Sequence, residues 1–546
     1  MRFVAGAFLV AGMLLLALAT PTSAAGSNIV STTYGKVEGY TAKGARVWRG
    51  IPFAAPPVGK DRFAPPQQPQ TWSGVREAKV DGPMCPQAEA LGKFVIGSED
   101  CLNLNVFAPE GADASSGLPV MFWIFGGGWV VGSNNQQGLY DGKNLAAKHN
   151  VVVVTVNYRL SALGFLALDS LRSESNTTGN YALQDQRAGM VWVQENIRAF
   201  GGDPDKVMIF GESAGAFSTC WHLASPASKG LFRAALVISG TCDSPIFFRS
   251  WERSVAWSVE YANRLGCSGP DSPALVDCLR SLSTAQVLSG RVFEDAGSET
   301  GASEDIDPLL SPIMPWAAAI DGTEAGMKVT PLDSIKAGSL NKVPTIMGTN
   351  NNEGTIFVPM LAAIAKVDLP LNHDTASAVL QRFFNASTVD AIWELYPLEN
   401  YHNSYDEAAA FVLRDYFFVC AERRALHAMA AQAIDVWSYR FLFNDGNPLF
   451  PIFGSTHASG LRLIFDNTFY QPWTKRDTLM ANQLGGYYSA LARGLDPNSG
   501  PGDLLHWPRY NISAELNMFL DVPSSVEAQY DQSVCPFWDK VTVDFR

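Results

Sequence analysis

The chain is poor in positive charge and has no long apolar segment beyond its N-terminus. Lys and Arg number 40 against 53 Asp and Glu, so the formal net charge is −13. Nucleic acid and anionic membranes repel such a surface, and neither is an expected partner. No run after residue 19 is long enough to span a bilayer, and the C-terminus carries no lipid-anchor signal. We therefore expect no obligate membrane association.

Signatures of metal and nucleotide binding are absent as well. The sequence contains no His-Glu-x-x-His, Cys-x-x-Cys or phosphate-loop pattern. Gly126 and Gly128 follow an apolar run, as the glycines of a dinucleotide loop would. The third glycine position holds Val131, however, and Gly132 comes one residue late. We expect no cofactor and no metal.

The N-terminus has the pattern of a signal peptide over residues 1–24. Arg2 precedes an apolar run over residues 3–19, and small residues follow at 22–24. An uncleaved anchor is the alternative interpretation. We expect a secreted protein whose mature part, residues 25–546, is a single catalytic domain.

Strands alternate with helices in the first half of the chain. Residues 151–157 form an unbroken, mostly β-branched run, which is typical of a strand buried on both faces. Residues 185–200 show helical spacing instead. This alternation predicts an α/β fold with a mostly parallel central sheet flanked by helices. Beyond about residue 251 the pattern is more helical and less regular, which indicates large helical insertions, with an exposed loop at 294–312.

The most informative segment is residues 210–216, Phe-Gly-Glu-Ser-Ala-Gly-Ala. It follows a short apolar run at 207–210 and precedes residues that can start a helix. A serine between glycines at such a junction is the nucleophile elbow of an α/β-hydrolase, because small neighbours allow the sharp turn that exposes the hydroxyl. Ser213 is therefore the candidate nucleophile.

A serine hydroxyl needs a histidine to take its proton and an acid to orient that histidine. In this fold the acid and then the histidine follow the serine in the chain. Asp321, Glu353 and Asp415 are candidate acids. Glu353 is best placed, in a polar loop directly after the apolar run at 345–348. The alternative is that Glu353 is a solvated loop residue.

Five histidines follow Glu353 in the chain, and the pattern favours one of them. Residues 454–460 form a loop of small residues around His457, after a strand-like run at 436–443, and such a loop can carry a catalytic imidazole. The preference is not decisive. The other candidates are His373, His402, His427 and His506.

A glycine run precedes the nucleophile in the sequence. Gly126, Gly127 and Gly128 end the apolar run at 120–125. Without side chains, the N–H groups there can point at a developing oxyanion, together with the N–H of Ala214. Such a glycine run would therefore form part of an oxyanion hole.

Secretion makes the eight cysteines candidates for disulfides. Two close pairs stand out, Cys85 with Cys101 and Cys267 with Cys278, whereas spacing does not pair the other four. Three sequons, at Asn176, Asn385 and Asn511, predict a glycosylated surface in a eukaryotic host.

Several motifs together resemble those of the type-B carboxylesterases, a family that includes cholinesterases, lipases and the non-catalytic neuroligins. The resemblance covers nearly the whole mature chain. Its motifs are WRGIPFAAPPVG at 48–59, EDCLNLNV at 99–106, NYRL at 157–160, FGGDP at 200–204 and FGESAGA at 210–216.

The resemblance implies roles for residues that the spacing left open. It assigns Glu353 and His457 to the triad with Ser213, and Gly127, Gly128 and Ala214 to the oxyanion hole. Glu212 resembles the family's buried acid beside the nucleophile. Two positions depart from the family pattern: Asn352 stands where Asp is usual, and Gly460 where many members have an acidic residue.

The resemblance also bears on the cysteines. Cys85–Cys101 and Cys267–Cys278 match the two common disulfides of the family, and Cys420 with Cys535 resembles a third bridge found in cholinesterases. Cys220 and Cys242 match no partner in the family pattern.

The loop between Cys85 and Cys101 indicates the kind of ester. It has only 15 residues and no tryptophan, so it lacks the choline-binding residue of cholinesterases and is too short for a large lipase lid. We expect an esterase of uncharged, short-to-medium acyl esters. A lipase or sterol esterase is the alternative, and a neuroligin-like adhesion protein is disfavoured because the nucleophile, acid, base and glycine run are all present.

Overall fold

The computed structural model describes residues 28–541 except 89–93, 245, 290–314, 445, 447–453, 469–471 and 529–532. The predicted signal peptide at 1–24 lies outside the described residues, and so does the whole of the predicted loop at 294–312. In the described part of the chain, no helix has the length and hydrophobicity needed to cross a bilayer.

One large sheet organises the fold. Its spatial order is β11-β10-β9-β8-β7-β6-β4-β5-β3-β2-β1. The strands are β1 Tyr40–Ala42, β2 Ala45–Pro52, β3 Asn103–Pro109, β4 Leu118–Ile124, β5 Val152–Val156, β6 Gly202–Glu212, β7 Ala234–Ile238, β8 Thr345–Asn350, β9 Val436–Phe441, β10 Asn517–Leu520 and β11 Ser525–Glu527.

The centre of this sheet, from β5 to β10, is parallel, and its edges are antiparallel. Strands β4, β5 and β7 are buried along their whole length, which explains their continuous apolar sequences. The predicted mostly parallel α/β sheet is therefore confirmed. The chain reverses its direction of travel across the sheet at β4, whose neighbours are β5 and β6. The carboxyl ends of strands at such a switch point are where open α/β sheets bind ligands.

Smaller strand pairs lie outside the main sheet. They are Ile29–Ser31 and Val75–Glu77 on either side of Lys36–Glu38, Gln87–Ala88 with Val95–Ile96, and Phe248–Ser250 with Ala318–Ile320.

The helices within the described residues connect the strands and form the insertions. They are α1 Lys143–His149, α2 Ser161–Phe165, α3 Asp169–Ser175, α4 Tyr181–Asn196, α5 Ala214–Ala224, α6 Trp251–Arg264, α7 Pro273–Ser281, α8 Thr284–Leu288, α9 Pro331–Lys336, α10 Phe357–Ala365, α11 His373–Leu380, α12 Ala386–Leu395, α13 Tyr405–Arg414, α14 Cys420–Ala431, α15 Leu461–Ile464, α16 Lys475–Gly494 and α17 Cys535–Trp538.

Helices cover both faces of the sheet. On β4, Phe122 faces Gly189 of α4, whereas its neighbour Trp123 packs against Phe465 at the end of α15. Successive side chains of a strand point to opposite faces, so α4 and α15 lie on opposite sides. Helix α5 packs beside α4, and α16 packs beside α15.

A second apolar cluster lies in the predicted helical insertions. It is built from helices α10 to α13 and includes α17 near the C-terminus. The disulfide between Cys420 and Cys535 ties this C-terminal helix to the start of α14. The insertion thus has an apolar core of its own, next to the larger core around the sheet.

All eight cysteines are paired. The expected bridges Cys85–Cys101, Cys267–Cys278 and Cys420–Cys535 are present. A fourth, Cys220–Cys242, joins two positions for which the sequence indicated no partner. It is fully buried and links α5 to the loop after β7. Spacing could not reveal it, because the contact exists only once α5 lies against β7.

Candidate active site

The predicted nucleophile lies at a sharp turn between β6 and α5. Strand β6 ends at Glu212 and α5 begins at Ala214, so Ser213 alone makes the turn. Its φ of 55° and ψ of −123° are unfavourable for a non-glycine residue and store strain. A Cβ at Gly211 would lie 2.4 Å from the carbonyl oxygen of Gly215, and one at Gly215 would lie 2.0 Å from that of Ile124. Only glycine fits at either position.

Glu353 and His457 meet across two loops at the carboxyl ends of neighbouring strands. Glu353 Oε2 lies 2.5 Å from His457 Nδ1. Its other oxygen, Oε1, accepts a hydrogen bond from the Asn350 N–H at 2.6 Å. The Glu353 side chain is fully buried, and that of His457 is 8% exposed. The carboxylate therefore holds one imidazole nitrogen and leaves Nε2 facing the other way.

Hydrogen bonds between the two loops set this distance. Asn352 N–H donates to the carbonyl oxygen of Ser455 at 3.0 Å, and Asn350 Nδ2 donates to that of Thr456 at 2.6 Å. Gly460, where the family often has an acidic residue, directly precedes α15 and has a φ of 89°. A Cβ there would lie 2.9 Å from the Phe441 ring. The local backbone thus accounts for glycine at this position.

The other candidate acids have different partners. Asp321 accepts hydrogen bonds from the N–H groups of Thr323 and Met327, so it organises a turn. Asp415 pairs with Arg414 and accepts from the Tyr396 hydroxyl. In the described part of the chain, neither carboxylate forms a hydrogen bond or ion pair with a histidine.

The other candidate histidines lie away from the elbow. His373 and His402 contact carboxylates on their own surface segments, and His427 contacts Glu515. His506 is exposed. Among the described residues, no group of three or more His, Cys, Asp or Glu side chains is placed to hold a metal ion.

The glycine run at 126–128 follows β4 and lies against Ser213, the predicted nucleophile. A Cβ at Gly126 would lie 3.0 Å from Ser213 Cβ and 2.6 Å from Glu212 Oε2, so only glycine allows this approach. Gly127 and Gly128 have φ values of 104° and 62°. Within the described residues their N–H groups have no backbone acceptor. The N–H of Ala214, at the first position of α5, also has no acceptor within its helix.

Glu212, next to Ser213 in the chain, lies beside His457. Its Oε1 is 3.4 Å from His457 Nε2 and has no hydrogen-bond partner among the described residues. No hydrogen bond joins Ser213 to His457 in this structure. Catalytic hydrogen bonds are often long without substrate and tighten in the complex, so the absence of this bond is compatible with proton transfer.

The two carboxylates control the protonation of His457. Burial lowers the pKa of His457, but the charges of Glu353 and Glu212 and the hydrogen bond that His457 donates to Glu353 outweigh it, so the net pKa lies above its usual value. A base of this kind favours the imidazolium that forms when a hydroxyl proton is taken.

Burial raises the pKa of Glu212 to about 7, while His457 lowers it and Glu353 raises it. In the unfolded chain this carboxyl ionises near 4.5. The folded state therefore loses stability as the pH rises from about 4.5 to about 7, by about 3 kcal/mol for a shift of this size. Glu212→Gln cannot ionise and should avoid this loss.

We expect Glu212→Gln to raise the free energy of unfolding relative to the wild type more at pH 8 than at pH 4.5, by up to about 3 kcal/mol. Urea unfolding at the two pH values measures the difference. Glu394→Gln, which removes an exposed carboxylate in α12, is the matched control. An equal effect of Glu212→Gln at both pH values would contradict the assigned pKa.

Aromatic rings surround the site, and sequence reasoning did not single out those of Phe217, Phe357 and Phe418. The rings of Phe357 and Phe418 each lie 5.2 Å from that of His457. Phe217, one turn after Ser213 in α5, stacks on Phe247 at 3.5 Å, and Phe247 also contacts Trp129. The sequence carried one usable signal: Phe217 lies four residues after the nucleophile and so on the same face of the helix.

The fold and the elbow define the class of protein: an α/β-hydrolase with a serine at the turn after its central strand. A family model described as "Carboxylesterase family" matches residues 26–538. The chain belongs to this family and is a carboxylic ester hydrolase. Because the curated relatives that the chain resembles are hydrolases, the binding-protein alternative is set aside.

Curated relatives and solved structures agree with this placement. The chain is 32% identical to the para-nitrobenzyl esterase of Bacillus subtilis, over 91% of this chain and 96% of that protein. It is 31% identical to the acylcarnitine hydrolase of Mus musculus, over 97% and 93%. A solved structure titled PNB esterase aligns with a TM-score of 0.77 at 30% identity, covering 94% of this chain and 100% of that one.

Proposed function

We propose that this carboxylesterase is a secreted enzyme that cleaves its substrates with a triad of Ser213, His457 and Glu353. The observation that carries the triad is the 2.5 Å contact between Glu353 Oε2 and His457 Nδ1, beside a serine strained at an elbow. This contact directs Nε2 away from Glu353, as a base facing the nucleophile requires.

In the first half-reaction, Ser213 Oγ attacks the ester carbonyl while His457 Nε2 takes the hydroxyl proton. The N–H groups of Gly127, Gly128 and Ala214 stabilise the oxyanion of the tetrahedral intermediate. His457 then gives the proton to the departing alkoxide, and the alcohol leaves an acyl-enzyme. Glu353 stabilises the imidazolium throughout.

In the second half-reaction, water attacks the acyl carbonyl and loses a proton to His457. The acid is released when the bond to Ser213 Oγ breaks and His457 returns the proton to that oxygen. Each proton taken by the imidazole is returned, so the enzyme ends in its starting state.

Uncharged short-to-medium acyl esters are the proposed substrates. The stacked rings of Phe217 and Phe247 and the buried Trp129 fill space beside the nucleophile helix, which favours a compact acyl group. The loop between Cys85 and Cys101 is too short to form a large lid. The para-nitrobenzyl esterase among the relatives supports an aromatic ester as the first probe.

Hydrolysis of p-nitrophenyl esters from acetate to palmitate tests this proposal. We expect kcat/KM to be highest at acetate to hexanoate and to fall towards palmitate, and an organophosphate should label Ser213 and abolish all activity. A palmitate optimum would reassign the enzyme as a lipase or sterol esterase. Activity that survives complete labelling would remove the triad from the proposal.

The predicted signal peptide and the four disulfides support secretion, because oxidising compartments are where disulfides persist. We also propose glycosylation at the three sequons. Asn176, Asn385 and Asn511 are all exposed, so each side chain is open to modification.

A further inference from the structure

The glycine run that would bind the oxyanion is followed by a strained residue. Trp129, directly after Gly128, has a φ of 60°. A non-glycine residue persists in this conformation only where its surroundings hold it. The Trp129 carbonyl oxygen accepts from the Ser161 N–H at 2.8 Å, and its indole is fully buried. What holds the indole therefore also holds the backbone of the glycine run.

The Ser218 hydroxyl holds that indole. Ser218 lies on α5, five residues after Ser213, and is fully buried. Its Oγ accepts a hydrogen bond from Trp129 Nε1 at 3.0 Å and donates one to the carbonyl oxygen of Ala214 at 2.9 Å. A single side chain thus connects the glycine run to the first residue of the nucleophile helix.

A third hydrogen bond occupies the remaining acceptor site of the Ser218 hydroxyl. Gln186 Nε2 on α4 donates to Ser218 Oγ at 3.1 Å. A hydroxyl has one donor and two acceptor sites, and Ser218 uses all three. Its orientation is therefore determined: the proton points at Ala214, and the lone pairs face Trp129 and Gln186.

The orientation of Gln186 is determined in turn by His222. Gln186 Oε1 lies 3.1 Å from His222 Nε2, and Ser228 Oγ lies 2.9 Å from His222 Nδ1. Burial, together with nearby Arg187, keeps the pKa of His222 well below its usual value, so the ring is neutral. Nε2 then carries the proton and donates to Gln186 Oε1, and Nδ1 accepts from Ser228. In every hydrogen bond of the network from Ser228 to Ala214, the donor and the acceptor are therefore determined.

We propose that Ser218 is a positioning residue for the oxyanion hole. Through Trp129 it sets where the N–H groups of Gly127 and Gly128 lie relative to the N–H of Ala214. Ser218 does not touch the substrate. The inference rests on the proposed function, because it assumes that these three N–H groups bind the oxyanion.

The test compares Ser218→Ala and Trp129→Phe with the wild type on p-nitrophenyl butyrate. Trp129→Phe keeps an aromatic ring at this position but removes the indole N–H, together with part of the buried ring volume. Misplaced donors weaken transition-state binding, so each variant should lower kcat by about 10- to 100-fold and change KM by less than about 3-fold. The affinity for a trifluoromethyl ketone, which forms an oxyanion on Ser213, should fall by the same factor as kcat.

The double variant shows whether the two residues act through one contact. If they do, Trp129→Phe with Ser218→Ala should be little worse than either single variant. Thr219→Ala is the matched control, because Thr219 is the next buried residue on α5 and donates to the carbonyl oxygen of Gly215 at 3.0 Å. It is expected to keep the wild-type kcat.

The outcomes separate this inference from the proposed function. Equal kcat values for Ser218→Ala and Thr219→Ala, with ketone affinity unchanged, would overturn the positioning role while leaving the triad intact. Additive losses in the double variant would also overturn it. Failure of the triad would be seen in Ser213→Ala, which is independent of Ser218.

Discussion

Replacing Ser213 with alanine should lower kcat for ester hydrolysis by about 10⁵-fold or more, because no other group can form the acyl-enzyme. The residual rate should come from the oxyanion donors and from binding alone. Stopped assays of p-nitrophenyl butyrate hydrolysis at high enzyme concentration measure it. Labelling by an organophosphate should disappear in the same variant.

The loss in Ser213→Ala should be chemical and not structural. The φ of 55° is imposed by the turn, so alanine carries the same backbone strain as serine, and the urea midpoint should stay close to that of the wild type. Thr219→Ala again serves as the control for a hydroxyl removed from the same helix. If Ser213→Ala kept wild-type activity, the nucleophile would be a different residue.

Glu353→Gln should lower kcat by about 10⁴-fold through the wrong tautomer of His457. Glu353 Oε1 accepts the Asn350 N–H at 2.6 Å, so a glutamine would place its oxygen there. Its NH₂ group would then face His457 Nδ1 and make that nitrogen the acceptor. The proton would lie on Nε2, which could no longer take one from Ser213.

The pH profile of the same variant provides a second measurement. His457 acts as a base only when neutral, and Glu353 raises its pKa, so wild-type activity should be lost as the pH falls through this raised value. Without the Glu353 charge the pKa of His457 falls. The residual activity of Glu353→Gln should therefore persist to lower pH than that of the wild type.

Asp321→Asn provides the matched control for Glu353→Gln, since Asp321 was a rival acid on sequence grounds. Its carboxylate accepts from Met327 and Thr323, so the variant should lose stability but keep the wild-type pH profile. The assignment of the acid would be contradicted if Glu353→Gln lost activity at the same low pH as the wild type. It would also be contradicted if Asp321→Asn lost activity at a different low pH.

Features that depend on neighbouring residues could be predicted from the sequence. The elbow at Ser213 was predicted from small residues between a strand and a helix. The structure has that strand, Gly202–Glu212, and that helix, Ala214–Ala224. The buried strand predicted at 151–157 is present as Val152–Val156. The ends of strands were predicted less accurately, because the apolar run at 207–210 belongs to a strand that begins at Gly202. The apolar pattern marks the buried part of a strand, not where its pairing stops.

Features that depend on distant segments could not be read in this way. Spacing left Glu353 and His457 as preferences among several candidates, because 104 residues separate them and only the neighbouring strands β8 and β9 bring their loops together. The family resemblance predicted one acid and one histidine, but it did not pair Cys220 with Cys242. Nor did they relate Ser218 to Trp129, whose hydrogen bond spans 89 positions.

The sequence alone therefore determines the local features: the strained serine, the glycines that surround it, the buried strands and the acidic surface. The partners of each polar group are a property of packing. A hydrogen bond such as that from Trp129 to Ser218 depends on which helix face meets which loop, and that is set by the order and register of the sheet. Contacts of this kind, and with them the positions of the N–H groups that we propose to bind the oxyanion, come into existence only in the folded protein.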